Sequence, residues 1–507
     1  MRKNVLAVSI AAMIGGLGLA GGAHAGSFPG AAVATTATQL IVARDGIGHS
    51  LLVPYYTVQN GQATLINLIN HDTNNGKAVK VRFRGASNSD DVFDFTLFLS
   101  PGDMWSANIS QGADGRAFIK TADTSCTLPA TVRTNGSTGT PFITDRLDSA
   151  ASAVDKAAGT REGYVEIFAM ADIPTGSAIY TATKHVNGIA PCTAGTFTPL
   201  ATYTNIDTVA EVEALGFRVP TTGLSGTWTI IDVPGANAFS GNATAVVAAN
   251  AAGVAATGRL TLFSQTAATV AAATAATWTA DPLLAQGFVS AAQYDFPDMS
   301  TPYVNTVFPL TAADPALQAQ ELSDALAVRT VENEFYTDDI IAGATDWVFS
   351  MPTRRYSVAF DYTNSASRYT DLPVTDYFNS TNTGVTARQI CVTGISVAYW
   401  NREEVSPVSS DDFVVSPGTP GAPLSFCGEA SVLSINDTGN SVLSASVARK
   451  DINVGGFTEG WLKLSAQGAS NAGLPILGSS FQKYVNPQAA AGVLGNYGTS
   501  YPHKVTR

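Results

Sequence analysis

Ionised side chains are scarce in this chain. Asp, Glu, Lys and Arg make up 13% of its 507 residues, about half of the ~25% usual in globular proteins. Cations are the scarcer sign. There are 28 Lys and Arg against 40 Asp and Glu, a formal charge of -12, and this argues against nucleic acid as a partner, because affinity for phosphate backbones rests on cations. Histidine is nearly missing. Beyond the first 25 residues His49, His71, His185 and His503 each stand alone among polar or small neighbours, so no zinc-ligand spacing exists and all four read as surface residues. There is no GxSxG elbow, no HExxH and no phosphate-binding lysine loop. The chain is accordingly read as a non-enzyme. Adjacent acids at Asp338-Asp339, Glu403-Glu404 and Asp411-Asp412 read as solvated loops, although a glycosidase needs only two suitably spaced carboxylates.

Long apolar runs are also missing. The longest, Val5 to Leu19, falls short of the ~20 residues needed to cross a bilayer. Arg2 and Lys3 precede it and Ala23-His24-Ala25 follows, which is the pattern of a secretory leader, residues 1–25, cleaved after Ala25. The remainder is expected to be secreted, at the cell surface or in the periplasm and outer envelope, with no transmembrane span. Losing Arg2 and Lys3 takes the formal charge to -14. Export makes disulfides the natural state of Cys126, Cys192, Cys391 and Cys427. No CxxC suggests a metal instead. Four thiols allow three pairings. The shorter loops favour Cys126–Cys192 and Cys391–Cys427, one bridge per half.

What the chain does have is a succession of short strand patterns split by Gly, Asn, Asp and Pro. GHSLLVPYYTV, ATLINLINH, KAVKVRFR, VFDFTLFLS and MWSANI follow one another from Gly48, and GYVEIFAMADI, SAIYTATKHV and GTWTIIDV come later. The last third adds TDWVFSMPTRRYSVAFDY, ARQICVTGISVAYW, ASVLSI and SVLSASV. This predicts an all-β protein of antiparallel β-sandwich domains. Helical spacing is confined to Asp145–Lys156, Asp207–Leu215 and Ala316–Ala327. The expected organisation is an N-terminal β-sandwich region over 26–235, an Ala/Thr-rich insertion with a helical segment over 236–330, and a C-terminal β region over 331–507. In KAVKVRFR, Val79, Val81 and Phe83 alternate with Lys80, Arg82 and Arg84, the pattern of a half-buried strand with a wet cationic face. Asp94 on the next strand is placed to pair with Arg82 or Arg84. Asn88, Asp90, Asp91 and Asp94 also crowd oxygen ligands together, so Asp90, Asp91 and Asp94 are candidate calcium ligands, without EF-hand spacing. No other cofactor is expected.

The ordered series PYYTV, ATLINLIN, KAVKVRFR, NSDDVFDFTLFLSPGDMW and TSC, then TDWVFSMPTRRY, NREE, DDFVVSPG and GLPILG, resembles a family of exported bacterial cell-surface proteins of unknown activity. The resemblance covers most of the chain outside the Ala/Thr-rich segment. It implies location and a surface role, and it brings no catalytic residues. Two functions follow as expectations. One is a structural or interaction protein of the bacterial envelope, packing with itself or other envelope components, as an S-layer-like array subunit does. The other is an extracellular glycan- or ligand-binding module using aromatics such as Tyr55, Tyr56, Trp105 or Trp400; a secreted hydrolase ranks behind both.

Overall fold

In the computed structural model the described residues are 37–202, 209–262, 298–299, 313–369, 377–406, 424–436, 441–490, 492–493 and 495–507. The expected leader, the Asp411-Asp412 pair and much of the Ala/Thr-rich segment lie outside them. The fold is all-β with a few short helices. The N-terminal half contributes β1 (Ser50–Thr57), β2 (Gln62–Asn70), β3 (Gly76–Gly85), β4 (Asp91–Leu99), β5 (Met104–Gln111), β6 (Glu162–Ile173), β7 (Leu224–Asp232), β8 (Asn237–Asn242) and β9 (Thr244–Ala249). Sheet one runs 39–42, β9, β1, β6, β3, β4, 126–128; sheet two runs β8, β7, β2, β5, 117–120, 140–141. Strict alternation explains β2, whose inward Thr64, Ile66 and Leu68 alternate with half-exposed residues. The inner faces of both sheets meet over Val53, Val81, Phe95, Ile167, Ile66, Trp105 and Trp228.

The C-terminal half contributes β10 (Thr330–Tyr336), β11 (Ala344–Ser350), β12 (Gln389–Asn401), β13 (Ala430–Ile435), β14 (Glu459–Ser465), β15 (Ser479–Val485), β16 (Asn496–Pro502) and β17 (Lys504–Thr506). Sheet three runs 383–386, β12, β14, β10, β17; sheet four runs 449–452, β13, β11, β15, β16. One face of sheet four, through Trp347, Phe349, Leu433 and Ile435, packs on sheet three. Its other face joins the N-terminal core through Val348, Val432 and Phe481, and the Phe481 ring sits 5.6 Å from Trp228. The two halves therefore share one core.

Several expectations change. The break drawn at 235 falls inside the sandwich, because β8 pairs with β7 and β9 pairs with β1. SAIYTATKHV is helical over Ala178–Thr183, started by the Ser177 hydroxyl, which accepts from the Tyr180 amide at 3.0 Å. The other expected helices settle at Ala153–Gly159, Val209–Ala214 and Ala313–Leu326. SVLSASV forms no strand. Its Leu443 amide donates to Asp346 Oδ2 at 2.8 Å and its Ser446 amide to Glu162 Oε1 at 2.8 Å, so carboxylates take the place of a partner strand. Both disulfides join the expected cysteines, Cys126–Cys192 and Cys391–Cys427. Among the described residues no helix is long and apolar enough to cross a membrane.

Candidate functional site

The cationic face of β3 is not wet. Lys80, Arg82 and Arg84 are all at most 3% exposed, because the outer face of sheet one is covered. Its apolar part lies under Ile179, Leu200, Val212 and Leu322 of the helices. Each cation there needs a carboxylate, since an unpaired buried charge costs several kcal/mol. Lys80 Nζ lies 2.5 Å from Asp94, Arg82 Nε 3.1 Å from Asp91, and Arg84 Nε 3.4 Å from Glu166. Glu166 and Asp298 also take Arg355, which stacks on the Tyr356 ring at 4.2 Å. The Tyr362 hydroxyl donates to Asp90. Arg354 donates to Glu429 through Nε at 3.0 Å and Nη2 at 2.9 Å, and through Nη1 to the Ile390 and Gly428 carbonyls.

Of the three proposed calcium ligands, Asp90 sits in the buried joint between the halves, Asp91 is buried beside it in sheet one, and Asp94 is half-buried. Asp91 and Asp94 face protein cations and Asp90 faces a phenol. Asp94 does pair with Arg82, at 3.8 Å, as the hairpin suggested, but Arg84 turns to Glu166. Among the described residues no group of three His, Cys, Asp or Glu side chains is placed to hold a metal ion. Two of the four histidines depart from expectation as well, while His71 is exposed as expected. His49 is 1% exposed, and His503 stacks on Phe349 with ring centroids 5.2 Å apart.

The aromatics divide in the same way. Tyr55, Tyr56 and Trp105 are core residues. Trp400 is on the surface, at the end of β12, and lies face to face with Trp461 of β14, with centroids 4.2 Å apart and planes 16° from parallel. Register explains the pair: Trp400 stands directly opposite Trp461, and Trp461 directly opposite Glu334 of β10. Alternation puts Leu462 and Leu464 in the core and Glu459, Trp461 and Lys463 outside. Glu332, Glu334 and Tyr336 share that outer face of sheet three.

One face of Trp461 is spent on Trp400. Beyond it lies an open groove of about 400 Å³ lined by Trp461, Glu332, Glu334, Tyr336, Arg402, Glu459 and Lys504, within the range of small-ligand sites. Trp461 is 39% exposed. Glu332 is paired with Lys463 at 3.3 Å and Glu459 with Arg402. The Glu334 carboxylate has no hydrogen-bonding or ionic partner among the described residues. Tyr484, edge-on to Tyr336 at 6.0 Å, continues the aromatic surface, its hydroxyl held above the usual tyrosine range by burial and the neighbouring tyrosines. The groove therefore offers a flat ring, a free carboxylate acceptor and guanidinium and ammonium donors side by side. Sequence reading noted Trp400, which backs Trp461, and met Arg402 only inside NREE. The parity of EGWLKL and VENEFY was the available signal, since both place their aromatic among charged residues and away from the leucines or Phe335.

A second cleft of about 510 Å³ is lined by Asp339, Asp346 and Asp451 with Asn436 and Asn453. Asp346 Oδ2 accepts from Ser441 and the Leu443 amide, and Asp451 pairs with Arg449 at 2.8 Å, so these acids hold loops. Comparison with protein-family models, with curated proteins and with solved structures finds no match to this chain.

Proposed function

We propose that this protein is an exported interaction protein of a bacterial cell envelope, acting by binding rather than by catalysis, with the outer face of sheet three as its contact surface. The observation that carries this is the groove beside Trp461: ring, acceptor and donors face solvent together on a sheet braced from behind by sheet four. The charged cluster at the joint, by contrast, is buried and internally paired, which suits architecture. Two disulfides fit an oxidising compartment, and the leader pattern and the resemblance to exported surface proteins support the same location. The test is retention. Purified protein lacking residues 1–25 should bind envelope fractions from cells deleted for the gene, and protease added to intact cells should reach the native protein. A protein found wholly in the cytoplasm, or one that envelope fractions do not retain, would overturn the reading.

A further inference from the structure

We infer that the groove beside Trp461 is a carbohydrate-binding site, a pyranose stacking its C–H face on the free face of Trp461. This rests on the reading of sheet three as a contact surface and names the ligand class. A flat exposed indole selects for a ligand with a flat apolar face, as the base-stacking aromatics of single-strand binders do. The polar rim then decides between candidates. A cationic ligand would gain from Trp461 and Glu334 but would meet Arg402 and Lys504 across the same groove. An anion would meet Glu332, Glu334 and Glu459. A polyol has hydroxyls that both donate and accept, so it satisfies acceptors and donors set side by side while presenting a flat C–H face to the indole. Glu334 accepts hydrogen bonds from hydroxyls without first breaking an ion pair. Lys504 and Arg402, the latter 67% exposed, donate from the rim. Tyr336 and Tyr484 extend the aromatic surface past one ring, so the site suits a chain of sugars better than a single one.

The test uses the full protein in native gels cast with hydroxyethyl cellulose, xylan, glycol chitin or dextran, and in pull-downs on purified peptidoglycan. Retardation or capture by at least one is expected, with Trp461→Ala weakening it at least tenfold and Glu334→Gln several-fold. Ile189→Ala, exposed and remote from the groove, should change nothing. Circular dichroism establishes that each variant is folded. Tyr484→Ala should weaken binding to longer oligosaccharides and leave that to a disaccharide unchanged. Absence of binding to every polysaccharide, or binding indifferent to Trp461→Ala, overturns the inference, as does saturable binding of tetramethylammonium competed by no sugar. If envelope fractions retain the Trp461→Ala variant as well as the native protein, the carbohydrate site falls while the interaction reading stands.

Discussion

At the scale of single residues the chain commits a substantial part of its few charges to the interior. Glu429 takes Nε and Nη2 of Arg354 on Oε2 and the Arg355 amide on Oε1 at 3.0 Å. Glu429→Gln leaves a buried guanidinium without its counter-charge and should cost about 3–5 kcal/mol in denaturant unfolding; a loss under 1 kcal/mol would show that the pair is not what holds the joint. Asp91→Ala removes the nearer carboxylate of Arg82 and leaves it the longer contact with Asp94 at 3.8 Å. Its melting temperature should fall equally in excess calcium and in EDTA, and a fall seen only with calcium would restore an ion to this cluster. His49 makes a pH prediction. Burial first, and the charge of Lys77 second, lower its pKa from 6.5 to about 3, while its Nδ1 accepts from the Ala248 amide at 3.2 Å. A depressed histidine is neutral when folded, so its contribution is complete above pH 6.5 and is lost as pH falls from there towards 3, by at most roughly 4–5 kcal/mol. His49→Gln should lose stability less steeply over that interval. Parallel acid limbs in the two proteins would remove His49 from the account.

At the scale of elements, periodicity made the strands legible and left their neighbours dark. KAVKVRFR announces which residues share a face, yet whether that face meets water depends on helices and on residues such as Arg355 and Asp298 far along the chain. The same limit hid the groove, whose walls come from strands more than a hundred residues apart; β10 and β14 each show their parity and neither shows the other. SVLSASV went astray because its amides bond to two carboxylates from distant strands, which no local pattern encodes. Where close approach governs an element, a single atom should break it. A Cβ on Gly163 in β6 would sit 1.7 Å from the Arg84 carbonyl oxygen and 2.9 Å from the Tyr56 ring. Gly163→Ala should therefore cost about 3 kcal/mol or more by forcing β6 off β3. Gly195, whose Cβ would meet nothing within 4 Å, should accept alanine at no loss. Equal melting temperatures for the two variants would contradict the close packing of β6.

At the scale of the whole molecule, all-β architecture and both disulfide pairings were readable, but the separation into halves was not real. Phe481 and Val348 belong to the N-terminal core, and the Asn88 side chain donates to the Arg388 carbonyl at 2.9 Å. Calorimetry should record a single unfolding transition. Reduction should lower it as a unit, each bridge contributing roughly 4 kcal/mol for loops of 66 and 36 residues; two resolved transitions would refute the shared core. The joint also has a consequence in time. Asn88 accepts from the Ile390 amide across 302 positions, and Thr330 meets Thr506 across 176. Contacts of such long range form slowly, because loop closure precedes their reward. During synthesis, residue 88 must wait for residue 390 before the joint can close. The joint thus stays open for as long as it takes to make most of the polypeptide, while sheets one and two, built from residues 39–249, can pair before it closes.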